Sequence, residues 1–373
     1  MDGYMLTTFR IPGGRISPAR SGKPSVLLLH GMGSWSEAWI ALPNDKNLVS
    51  IGLKMGLLAY MLADAGWDVW LGNNRGSSYS NGHTSLNSAF EPYWNFSWHE
   101  MGIYDLPTIV DQAIAVSGNE KIFVIGHSQG GVEVLVGTSE IPELNDKIHA
   151  AYLMAPAAFL GGAYDPFFGA LLPIVNTPLE DVLYAVLRGR LQRRNPRILS
   201  TIFGIQPHAL CQPRAIRCGL CDQYLLGLYS FNPTQMNYTN IPRIMAKLFD
   251  VENIKSDIHF GQNILSCMFR KYDYGSSENQ RRYGSVDPPD YNLEQIRTPV
   301  YLLWAEQDTL ITPPDIQRLA SRLSPSTLRE VIRVEDDTFN HGDFALARDA
   351  NILVYRPLIE KMNAFWNEVS SSA

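Results

Sequence analysis

Gly126-His127-Ser128-Gln129-Gly130 sets a serine hydroxyl between two glycines. G-x-S-x-G is the sequence form of a nucleophile elbow, a turn from strand to helix so tight that flanking side chains would collide. The flanks agree with that reading. Lys121 to Ile125 (KIFVI) reads as a short buried strand, and Gly131 to Glu140 can start a helix. A serine is a poor nucleophile until a base takes its proton, and the base needs an acid to orient it. The acid is expected after a late strand. Pro299 to Trp304 (PVYLLW) leads into Ala305-Glu306-Gln307-Asp308, and Asp308 is preferred over Glu306 because it lies further into the loop. The competing reading is a loop carboxylate that caps a helix. The base is expected after the last strand, and of eight histidines only His341 lies C-terminal to Asp308. Asp343 reads as the N-cap of a short helix from Phe344 to Arg348. An oxyanion would need two backbone N–H donors. The residue after the nucleophile, Gln129, supplies one. Met32, in His30-Gly31-Met32-Gly33 after an early strand, supplies the other. Neither side chain matters for that role.

Chemistry of this kind needs a rigid sheet edge, and the chain has the elements for one. Strand-like runs alternate with helical patterns, which predicts an α/β fold with a mostly parallel sheet flanked by helices. Ser25 to Leu29 (SVLLL) is a buried strand. Leu53 to Ala65 repeats apolar residues at helical spacing and stops at Gly66. Trp67 to Leu71, Ala150 to Met154 and Arg329 to Val334 are further strands. Asp105 to Val116 is a helix with Pro107 in its first turn, and Pro314 to Arg322 is another. The C-terminal helix carries Leu358, Ile359, Met362, Phe365 and Trp366 on one side, which should pack on the sheet. The rhythm stops from about residue 155 to 292. We therefore expect a core of residues 1–154 and 293–373, with 155–292 inserted as a mainly helical cap.

Composition narrows the function classes. Hydrophobic residues are 45% and charged residues 18% of the 373, as in globular proteins. The net charge of −6 argues against a nucleic-acid partner. No run of about 18 apolar residues predicts a transmembrane helix. Met1-Asp2-Gly3-Tyr4 is not a signal peptide, which taken literally reads as cytoplasmic. Cys218-x-x-Cys221 lacks a second pair or nearby histidines, so no metal site is expected and no cofactor is required. Cys211 could bridge to Cys218 or Cys221 in an exported chain, and free buried thiols, Cys267 included, are the equal alternative. Asn95-Phe96-Ser97 and Asn237-Tyr238-Thr239 are glycosylation acceptors if the chain is secreted.

Longer segments carry a resemblance. LAYMLADAGWDVWLGNNRG (Leu58 to Gly76) and FSWHEMGIYDLP (Phe96 to Pro107) are similar to the acid lipase family of the α/β-hydrolase fold. Asp2 to Leu6 with Arg10-Ile11-Pro12 looks like that family's early strand pair. Ile258 to Cys267, Tyr272-Asp273-Tyr274-Gly275 and Pro288-Pro289-Asp290-Tyr291-Asn292 resemble its cap segments, and Asn340-His341 with Asp343-Phe344 its histidine loop. The resemblance implies a triad of Ser128, Asp308 and His341, with Met32 and Gln129 as oxyanion donors. It also implies triacylglycerols or steryl esters as substrates, met at a lipid–water interface by a monomer. Gly131 departs from a frequent threonine, and Asn81-Gly82 from basic residues. The family carries a leader and further N-terminal residues. A secreted or lysosomal protein in a longer native form is therefore expected.

Two other readings stay open. The same triad serves a small-ester carboxylesterase or thioesterase, or an acyltransferase if water is excluded. Alternatively, the fold is a catalytically silent binding protein. Dehalogenase and epoxide hydrolase chemistry is disfavoured, because it needs aspartate at the elbow. Phe167 to Leu172 with Ile174-Val175 could line an acyl site, or could be ordinary core.

Overall fold

The computed structural model describes residues 2–40, 57–192, 232–236 and 249–371. The strands are β1 (Tyr4–Met5), β2 (Phe9–Ile11), β3 (Ser25–Leu29), β4 (Asp68–Leu71), β5 (Gly82–His83), β6 (Ile122–His127), β7 (Ile148–Met154), β8 (Arg190–Gln192), β9 (Val251–Asn253), β10 (Val300–Trp304) and β11 (Leu328–Arg333). Seven of them form one sheet in the order β11-β10-β7-β6-β3-β4-β2. All neighbours are parallel except β2, which runs antiparallel on β4. Every residue of β3, β4 and β6 is buried, because helices cover both faces of a parallel sheet. That is why SVLLL and IFVI read as unbroken apolar runs. At the edge, β11 is largely exposed.

Among the described residues, the α-helices of four residues or more are α1 (Leu58–Asp64), α2 (Leu106–Ser117), α3 (Gln129–Glu140), α4 (Pro166–Leu171), α5 (Pro178–Leu187), α6 (Ile254–Ser266), α7 (Ser276–Tyr283), α8 (Pro313–Arg322), α9 (Asp343–Leu346) and α10 (Arg356–Ser371). The predicted start of the first helix, residues 53–56, lies outside the described residues. On α10 the expected face is inward: Leu358, Ile359, Met362 and Phe365 are buried and Trp366 is partly so. Phe365 and Trp366 meet the Phe123 ring of β6 edge-on at 5.9 and 6.2 Å.

The two early strands do not pair with each other. β1 pairs with β5, while β2 closes the sheet edge on β4. What ties β1 down is Arg75, in the loop after β4. Its backbone N–H and Nε each donate to the Asp105 carboxylate at 2.8 Å, and its guanidinium also pairs with Asp2 and lies 4.2 Å over the Tyr4 ring. Arg75 and Asp105 are both buried, so each neutralises a charge that would otherwise be stranded out of water.

Among the described residues, the stretch between β7 and β10 adds no strand to the central sheet. It supplies α4 to α7 and the β8–β9 ribbon. Proline at N1 and a side-chain cap start α4 (Asp165 to the Phe167 and Phe168 N–H) and α5 (Thr177 to the Leu179 N–H). Helix α6 is the anchor. Its His259 stacks on Trp98 at 3.7 Å, and its ring nitrogens lie 3.1 Å from Ser97 Oγ and 2.9 Å from the Arg270 carbonyl. Phe168, Leu171 and Val175 are buried, which makes part of the apolar run ordinary core. Cys267 is exposed, correcting the expectation of a buried thiol, and has no disulfide partner among the described residues. Cys211, Cys218, Cys221 and the Asn237 acceptor lie outside the described residues.

Candidate active site

The four segments singled out by sequence meet at the C-terminal edge of the sheet, where the ligand sites of open α/β sheets lie. Strand β6 ends at His127, and Ser128 turns the chain into α3 with φ 54° and ψ −117°. Left-handed backbone at a serine is strained by about 1–3 kcal/mol, a strain typical of functional turns. The two glycines make the turn sterically possible. A Cβ on Gly126 would lie 2.6 Å from the Gly130 backbone, and one on Gly130 would lie 2.6 Å from the Leu29 carbonyl.

The side chains converge. Ser128 Oγ lies 2.9 Å from His341 Nε2, and His341 Nδ1 lies 2.8 Å from Asp308 Oδ2. Asp308 follows β10, and its Oδ1 accepts the Leu310 and Ile311 N–H groups at 2.9 and 2.8 Å. With the carboxylate accepting, Nδ1 carries the ring proton, and Nε2 is left to accept from Ser128. The alternative acid stays apart: Glu306 is partly exposed and accepts from Arg333 Nε at 3.0 Å. All three converging residues are buried. The neighbouring His127 ring is 5.1 Å from His341, and burial pushes its pKa down to about 3, so it adds no positive charge.

Met32 lies just beyond β3, which pairs with β6 as far as Leu29 and Gly126. Gln129 is the first residue of α3, where a backbone N–H has no acceptor within its own helix.

Asp343 departs from expectation. It is the first residue inside α9, Gly342 occupies the cap position, and no side-chain cap bond forms. Its carboxylate instead accepts the Asn340 N–H at 2.8 Å and the Asn232 N–H at 3.3 Å, tying the histidine loop to the inserted segment. Asn340 Oδ1 in turn accepts the His341 N–H at 2.7 Å. Burial pushes Asp343 from 3.8 up to about 7. Between these values the folded chain keeps a proton that the unfolded chain has released. Stability gained in acid is therefore lost as pH rises through about 4 to 7. Asp343→Asn is expected to flatten the change of Tm with pH in that window. An unchanged slope would contradict the assignment.

Comparison with known proteins bears on this geometry. Residues 24–196 match the model of the alpha/beta hydrolase fold, and residues 1–42 match a partial alpha/beta-hydrolase lipase region. Lipase 3 of Drosophila melanogaster is 33% identical over 98% of this chain and 88% of its own length. The chain belongs to the acid lipase family. Lipase member K of Homo sapiens, another relative, is 29% identical over 98% of this chain and 86% of its own. The fold is shared more widely than the sequence. The solved soluble variant of monoglyceride lipase from Saccharomyces cerevisiae has 15% identity and a TM-score of 0.53, covering 98% of this chain and 93% of that one.

The polar groups beneath the elbow were missed by sequence reasoning. Glu133, Asn74 and His30 are buried around Gln129. The available signal was a glutamate inside the apolar run Val132 to Val136.

Proposed function

We propose that this acid lipase family member hydrolyses long-chain lipid esters through Ser128, His341 and Asp308. The carrying observation is the unbroken pair of contacts from Ser128 Oγ through the His341 ring to Asp308, at 2.9 and 2.8 Å. In the first half-reaction Ser128 Oγ attacks the ester carbonyl carbon as its proton passes to His341 Nε2. The carbonyl oxygen becomes an oxyanion held by the Met32 and Gln129 N–H groups. The carbon–oxygen bond to the alcohol breaks, and His341 returns the proton to the leaving alkoxide. In the second half-reaction water gives its proton to His341 and attacks the acyl-enzyme, and the fatty acid leaves as Ser128 regains the proton. Asp308 stabilises the imidazolium at each stage.

Residues 1–154 and 293–373 act in this reading as the catalytic core, and residues 155–292 as a cap. An apolar stripe on α5 supports contact with a lipid surface: Leu179, Val182 and Val186 are 58%, 56% and 71% exposed. Among the described residues no helix is long and apolar enough to cross a membrane. A secreted or lysosomal location is part of the proposal, supported by exposed Asn95 in its glycosylation triplet.

Ester hydrolysis from acetyl to oleoyl tests the substrate class. Rates per mole of folded protein are expected to rise with acyl length. An optimum at acetyl or butyryl would replace the lipase reading with a small-ester esterase. A folded protein with no activity on any ester would overturn both.

A further inference from the structure

Glu133 lies one helical turn beyond the elbow and is 0% exposed. Its Oε1 accepts from Asn74 Nδ2 at 2.6 Å and from Gln129 Nε2 at 3.1 Å. Asn74, in the loop after β4, donates its backbone N–H to His30 Nε2 at 3.3 Å. His30 Nδ1 donates to the Gly31 carbonyl at 2.9 Å. A continuous polar chain therefore runs from Gln129 through Glu133, Asn74 and His30 to the residue before Met32. Its ends are Gln129, the first residue of α3 after β6, and the His30–Gly31 turn after β3, the two places assigned above to the oxyanion donors.

We propose that Glu133 is a positioning residue that clamps the Met32 and Gln129 loops at the separation an oxyanion requires. This rests on the serine-hydrolase reading. The physical argument is one of expense. Burying a carboxyl group with Oε2 unpartnered is unfavourable, and an apolar residue would suit the site between Val132 and Val134 better for stability alone. Burial also pushes the Glu133 carboxyl well above the usual carboxylate range, so a neutral amide is a fair substitute for it. Oxyanion stabilisation depends on donors held at fixed positions before the charge forms. A link that crosses between the two loops supplies such rigidity.

The test compares Glu133→Leu, Glu133→Gln and Asn74→Ala with wild type and Ser128→Ala, each checked for folding by circular dichroism and Tm. Glu133→Leu and Asn74→Ala are expected to lower kcat at least about tenfold, up to the roughly 10²–10³-fold seen when one oxyanion donor is lost. KM should change little. Glu133→Gln keeps an acceptor at Oε1 and should restore most of kcat. A folded Glu133→Leu with wild-type kcat overturns the clamp, as does a fall in kcat that simply follows Tm across the set. Failure of both Glu133→Leu and Asn74→Ala to fold also overturns it, because the network would then serve the fold. Activity surviving in Ser128→Ala is a separate result: it sinks the serine-hydrolase reading itself.

Discussion

Ser128→Ala is expected to lower kcat for a long-chain ester by about 10⁶, the scale at which loss of a triad serine leaves only binding and oxyanion stabilisation. Fold and Tm should be close to wild type. Alanine meets the same backbone strain at φ 54° that serine does, and the hydroxyl makes one contact to His341. The flanking glycines, which allow the turn, are untouched. Fatty-acid release by matched concentrations of the two proteins measures the effect. More than a tenth of wild-type activity in the variant would contradict the assignment.

Asp308→Asn should cost about 10⁴ in kcat without unfolding the chain. The direction follows from the two backbone donors. The Leu310 and Ile311 N–H groups both point at Oδ1 and will retain an oxygen there. The amide nitrogen is then left facing His341 Nδ1, 2.8 Å from the present Oδ2. A donor in that position forces Nδ1 to accept, so Nε2 carries the ring proton and cannot take the one on Ser128. Glu306→Ala is the matched control. It removes a partly exposed pair with Arg333 and should leave kcat within about twofold. A larger loss from Glu306→Ala than from Asp308→Asn would reverse the two assignments.

The converging side chains were legible because each occupies a position with few alternatives. Gly126 and Gly130 mark a turn that other residues cannot make. His341 has no rival after the last strand, and Asp308 lies at the reach a loop carboxylate needs. The sheet was legible for a related reason: β3, β4 and β6 are buried on both faces, so they stand out as apolar runs. β1 and β5 are two residues each, too short for any periodicity to register. The inserted stretch was harder to read because α5 fully buries no residue: Leu183, Tyr184 and Leu187 pack only partly against the core, while Leu179, Val182 and Val186 stay exposed. Asp343 was misread because its sequence position fits a cap, whereas its partners, the Asn340 and Asn232 N–H groups, are set by tertiary structure. Glu133 and the Arg75–Asp105 pair were missed for the same reason. Asn74 reaches Glu133 from the loop after β4, and Asp105 meets Arg75 from just before α2, so those pairings are set by tertiary structure.

The central claim is that Ser128 is the activated nucleophile. Labelling with a long-chain fluorophosphonate, followed by peptide mass spectrometry, tests it most directly. The account predicts one adduct, on Ser128, formed rapidly in the wild-type protein and absent from Ser128→Ala. A folded wild-type protein that takes no label, or a label that persists in Ser128→Ala, would contradict it.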